Sequence, residues 1–167
     1  GYIIDPVSGD KRIPWDLLPR YWTAESDYYD NKRWLKTPLM QSGNVMDKFY
    51  AVCSGIDEIT KKHGYVRDGN IYKVERESRE TVALFCHFGV ECVILSHLLG
   101  ISPVILWHNF CALPSSVTTL VTEEREQGKA AFRMCGFGDI SHLYAGDEEP
   151  SFQARFCETY SNFEERH

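Results

Sequence analysis

His87 closes the run Thr81-Val82-Ala83-Leu84-Phe85-Cys86 and opens Phe88-Gly89-Val90, where an apolar stretch of helical character begins. A strand that delivers an imidazole to the mouth of a helix has the parts of an anion site. The first N–H groups of a helix lack intrahelical partners and carry the positive end of its dipole. Three chemistries could use such a segment. In a cysteine phosphatase a thiolate opens the loop and an arginine six residues on clamps the phosphate; here Cys86 is followed at that offset by Cys92, with no arginine between. A Cys–His nucleophilic pair is disfavoured because neighbours on a strand point to opposite faces, so that Cys86 and His87 cannot face each other unless the strand has already ended. The third chemistry uses His87 as a phosphate ligand or proton donor beside a second histidine that is phosphorylated transiently.

No other constellation competes with this one. There is no Cys-x-x-Cys pair, and the histidines at 63, 87, 97, 108, 142 and 167 make no metal-ligand spacing with the cysteines, so no metal is assigned. Cys53, Cys86, Cys92, Cys111, Cys135 and Cys157 are scattered through apolar segments below the density of a disulfide scaffold, and they read as buried thiols. His97 lies within an apolar helical stretch and reads as a hydrogen-bonded structural imidazole. His108 follows Trp107 at a helix end, where a cation would suit the dipole.

Charge narrows the class of partner. A net charge of −6 over 167 residues leaves no dominant basic face, which argues against a nucleic-acid surface as the main function. The apolar stretches at 90–99 and 101–107 are too short for a bilayer and are broken by His97, Gly100 and Pro103, so no membrane span is expected. No secretory signal is visible, and the cytoplasm is the expected compartment.

The elements that must position His87 read as α/β. Residues 5–40 are rich in Pro, Asp and aromatics and carry Lys11, Arg12, Arg20, Lys32, Arg33 and Lys36; they predict an irregular, lid-like segment with one or two short helices. Such a segment is either a cap for an anionic substrate or a solvated basic face anchored by rings. Ser42 caps a helix over 43–62, whose apolar residues Val45, Phe49, Val52, Ile56 and Ile59 recur at intervals of three and four, and Gly64 ends it. Residues 65–67 and 71–74 flank Asp68-Gly69-Asn70, a hairpin at or outside a sheet edge. Residues 81–86 are apolar almost throughout, as in a central parallel strand covered on both faces. A helix over 90–99 stops at Gly100, and Ser102-Pro103 starts a second through Trp107. Residues 116–121 and 130–135 read as two strands pairing antiparallel.

Four pieces in order carry a resemblance: Phe85-Cys86-His87-Phe88-Gly89-Val90, Leu95-Ser96-His97-Leu98-Leu99-Gly100-Ile101, Ser116-Val117-Thr118-Thr119-Leu120, and Gly138-Asp139-Ile140-Ser141-His142-Leu143. Their order and spacing across residues 85–143 resemble the C-terminal half of the histidine phosphatase superfamily, the phosphoglycerate mutase-like proteins. The resemblance implies that His87 is the second active-site histidine and that Phe88 and Gly89 form the adjoining substrate-binding turn, with Phe88 in place of a glycine. His142 falls in an element of mostly structural use. The family's nucleophile lies in an Arg-His-Gly motif, which does not occur in this sequence.

The implied fold is a three-layer α/β sandwich with a mainly parallel central sheet, lacking the family's N-terminal strand. Residues 1–167 then form one histidine-phosphatase-like domain with a lid-like segment at 5–40, an α/β core at 42–145 and a tail at 146–167, and read as the later part of a longer protein. The implied activity is that of a phosphatase or phosphomutase acting on a phosphorylated small molecule through phosphohistidine, with no cofactor and with the isolated chain inactive. The alternative is a non-catalytic phosphate-binding or oligomerisation domain. An open sheet edge beside residues 81–86 would be covered by a second copy or another polypeptide.

Overall fold

The turns at Gly69-Asn70 and Gln127-Gly128 set the sheet topology. Gly69 and Gly128 adopt φ of 60° and 76°, a left-handed conformation that glycine takes without steric cost, and each turn folds the chain straight back into an antiparallel neighbour. A computed structural model describes residues 1–152, 159, 161, 162 and 164. In chain order the elements are β1 (Ile3–Ile4), β2 (Lys11–Arg12), α1 (Pro19–Trp22), α2 (Pro38–Gln41), α3 (Val45–Lys62), β3 (Tyr65–Asp68), β4 (Ile71–Val74), α4 (Phe88–Leu99), α5 (Pro103–Asn109), β5 (Val117–Glu126), β6 (Lys129–Asp139) and α6 (Ser141–Ala145). Two 3-10 turns lie at Ser26–Tyr29 and Trp34–Lys36. β1 pairs with β2, and the larger sheet has the order β3-β4-β6-β5, antiparallel throughout.

The chain divides into two compact units. One comprises Gly1–Phe110 with Glu123–Phe132. Its core joins Ile3, Trp34, Met40, Val45, Cys53 and Ile56 to Cys92, Leu95, Val104 and Leu106, all buried. Trp34, only 1% exposed, meets Phe49 and Trp107 edge-on, with ring centroids 5.1 and 5.6 Å apart. Residues 5–40 therefore supply core as well as cover: Leu17, Tyr28, Trp34, Leu35 and Met40 are buried. β3 is the sheet's edge and β4 an inner strand, with Tyr72 opposite Ala130 and its ring edge-on to Phe132.

The helix boundaries have local causes. Ser102 caps α5 by accepting from the Val104 N–H, and its hydroxyl donates to the Tyr28 carbonyl at 2.5 Å; Pro103 occupies the first turn. Gly100, at φ 72°, ends α4. α3 starts two residues later than its apolar pattern predicts, after Asn44. The expected cap, Ser42, instead ends α2 and accepts from the Ile4 N–H at 2.8 Å, while Asn44 accepts from the Tyr2 N–H at 2.9 Å. Both oxygens serve the incoming N-terminal strand in place of the helix.

The other unit comprises Cys111–Thr122 and Arg133–His167. It holds the open end of the β5–β6 hairpin, where the Gly138 N–H donates to Thr118 Oγ1 at 3.1 Å. Asp139 accepts from the Ser141 N–H at 2.7 Å at the entry to α6. Most of the expected tail, including Cys157 and His167, lies outside the described residues.

The parallel central sheet is overturned. Residues 81–86, expected as its middle strand, form no strand; all six are exposed, and Phe85 is 98% exposed. A strand exists only as part of a ladder, and the strands that do form are consumed in antiparallel pairs: short turns join β3 to β4 and β5 to β6, and β4 pairs antiparallel with β6 across the intervening segment that holds α4 and α5. The three-layer sandwich falls with it.

Candidate functional site

His87 is the N-cap of α4, in an extended backbone conformation (φ −86°, ψ 155°) with an exposed side chain that makes no capping bond. The helix start expected after it is present; the strand expected before it is not. Its carbonyl accepts the N–H groups of Val90 and Glu91 at 2.9 and 3.0 Å, which already uses two first-turn donors. Glu91 adds a carboxylate to the same turn and, after partial desolvation, is a further cause that pushes the Cys86 thiol up. Both effects disfavour the thiolate that nucleophilic attack by Cys86 would need, although the strand expected to turn Cys86 from His87 is not formed.

Phe88 is half-buried and Gly89 buried. Gly89 has a packing reason of its own: a Cβ there would lie 2.9 Å from Trp15 Cε3, and its carbonyl accepts from Trp107 Nε1 at 3.1 Å. Trp15 and Trp107 sit with centroids 6.3 Å apart, so the glycine seats an indole against the first turn of α4. Of the implied site, His87 alone presents an exposed side chain.

The basic residues of 5–40 are largely engaged nearby. Arg12 Nε lies 2.6 Å from Asp5, Arg33 contacts Asp27 and Asp30 at 3.1 and 3.2 Å, Lys11 sits over the Tyr2 ring and Arg20 over that of Tyr21.

The other histidines have separate partners. His97 Nε2 lies 2.8 Å from Asp57 Oδ1, bearing out its structural reading. Tyr72 Oη donates to the same carboxylate oxygen at 3.3 Å, while Arg67 donates to Tyr72 Oη at 2.8 Å and to the His97 carbonyl at 3.0 Å. This half-buried network joins α3, α4, β3 and β4, and burial with the nearby Asp57 pushes the Cys53 thiol up to about 11. No motif announces it; the one sequence signal is Asp57, which directly follows core residue Ile56 and stands one turn after Cys53 on the same helix face. His63 Nδ1 bonds Glu80 at 2.7 Å. His108 is not the cation expected at its helix end: burial lowers its pKa, and its ring stacks on Trp22 with centroids 5.1 Å apart. His142 is exposed in α6.

Among the described residues, no group of three His, Cys, Asp or Glu side chains could hold a metal ion, and no helix is long and apolar enough to cross a membrane. No disulfide links the described cysteines. Cys53 and Cys92 are buried as expected, whereas Cys86, Cys111 and Cys135 are exposed because their segments lie at the surface. No family model, curated protein or solved structure matches the chain.

Proposed function

We propose that His87 is a phosphate-contacting histidine of a cytoplasmic phosphomonoester-handling protein that resembles the histidine phosphatases and whose chemistry runs through a phosphohistidine. The observation that carries this reading is the exposed imidazole at the start of the twelve-residue helix α4, where a helix end favours an anion. The order of the sequence motifs adds the reaction class; the antiparallel sheet has no part in it. Without an Arg-His-Gly motif, the isolated chain binds the phosphoryl group and does not turn it over. In titration with inorganic phosphate followed by NMR, the His87 ring resonances should shift, and His87→Ala should abolish the saturable response; an unchanged response in the variant overturns the reading. Hydrolysis of p-nitrophenyl phosphate should be negligible and equal for both proteins, and turnover lost on substitution would reveal a nucleophile among residues 1–167.

Self-association through residues 81–86 is the second reading, favoured by the near-complete exposure of Phe85.

A further inference from the structure

Between Glu80 and His87 run six uncharged residues, all exposed, with Val82, Leu84 and Phe85 at 44%, 48% and 98%. Neither turn nor bend interrupts them, and none of their backbone groups has a hydrogen-bond partner among the described residues. Apolar side chains beside an unused ladder of N–H and C=O groups form a template for another strand. Both flanks are held: Glu80 Oε2 accepts from His63 at 2.7 Å and from Ser78 at 3.2 Å, and His87 is fixed as the N-cap of α4. The segment is thus presented with part of its ordering cost already met.

We propose that residues 81–86 pair antiparallel with the same residues of a second copy, across a twofold axis between Ala83 and Leu84. The inference rests on the reading of residues 81–86 as a self-association segment and is independent of phosphate binding at His87. The sequence is self-complementary in this register. Ala83 faces Leu84, Thr81 faces Cys86, and Val82 faces Phe85, a β-branched–aromatic pair of the kind that stabilises sheets and that occurs twice by symmetry. At each end Glu80 faces His87, a carboxylate opposite an imidazole, and nowhere in the ladder do like charges meet. A slip of one residue would set different pairs opposite each other and turn the side chains to the other face.

Sedimentation equilibrium of the full chain in phosphate-free buffer tests the proposal. At micromolar concentrations a reversible species of twice the 19.3 kDa chain mass is expected, with amide exchange at 81–86 slowing as it forms. V82K and F85E should each raise the dissociation constant by roughly tenfold. The double variant V82K/F85E places each new cation opposite a new anion and should tighten the dimer again. Because both positions are exposed, the variants should keep the circular dichroism of the parent. A monomer throughout the micromolar range overturns the pairing. So does a dimer indifferent to V82K, or a double variant no tighter than the singles. Phosphate binding lost with the dimer intact would count against the role of His87 alone.

Discussion

At His108 the ring Nδ1 must donate, because its partner at 2.8 Å is the Val104 carbonyl, and this leaves Nε2 as a buried acceptor with no partner among the described residues. Protonation would place a second donor and a charge where burial disfavours both, so the folded-state pKa lies below the ordinary 6.5, although the Val104 bond and Asp16 oppose the shift. Below that ordinary value the unfolded chain binds more protons than the native one. The contribution of His108 to stability is thus complete above about 6.5 and is lost as pH falls through the folded-state pKa. Urea unfolding from pH 7.5 to 5 should show this decline, and His108→Asn, which can keep a donor to the Val104 carbonyl without titrating, should flatten it (~1 proton fewer taken up on unfolding). Asn109 already makes the equivalent bond to the Ile105 carbonyl at 3.1 Å. A stack on Trp22 is invisible from the dipeptide Trp107-His108, because the two rings are brought together by tertiary packing.

Helix α4 shows how packing and function can be separated at one turn. Gly89→Ala should gain about 1 kcal/mol of helix propensity and lose about 1–3 kcal/mol by crowding Trp15. A net loss on the order of 1 kcal/mol in urea unfolding is expected, with the response of His87 to phosphate retained; a variant as stable as the parent would mean that Trp15 yields freely. The C-terminal end of α4 and the start of α5 were legible in the sequence because Gly100, Ser102 and Pro103 act through their own backbone chemistry, whereas α4 begins at Phe88 and α5 runs on to Asn109, past the bounds the pattern suggests. Ser42 misled for the opposite reason: its hydroxyl suits a helix cap, but the Ile4 amide, 38 residues away, takes it. Asp57 and His97 are likewise separated by 40 residues, and only the packing of α3 on α4 makes them a pair.

Across the whole molecule, the main departure from the sequence reading traces to residues 81–86. Their composition is that of a covered strand, but composition expresses a preference for burial and cannot say whether a partner strand is at hand. Exposure of this segment also sets the thiol chemistry. Peptide mapping after brief alkylation of dilute native protein should find Cys86, Cys111 and Cys135 modified and Cys53 and Cys92 protected until the chain unfolds. Early labelling of Cys92 would mean that α4 opens locally. By contrast, the helix–hairpin junction was readable, since α3, Gly64 and the β3–β4 hairpin follow one another in sequence. There the Gly64 carbonyl accepts from Glu75 at 2.9 Å, Arg76 reaches back to the Lys62 carbonyl at 3.0 Å, and a side chain on Gly64 would collide with the Arg76 carbonyl. This clasp closes only a short loop, so its entropy of closure is small and its contacts are local. It gives the chain a place to begin folding: residues 45–76 can draw together before the distant Tyr72–Ala130 pairing of the sheet is made.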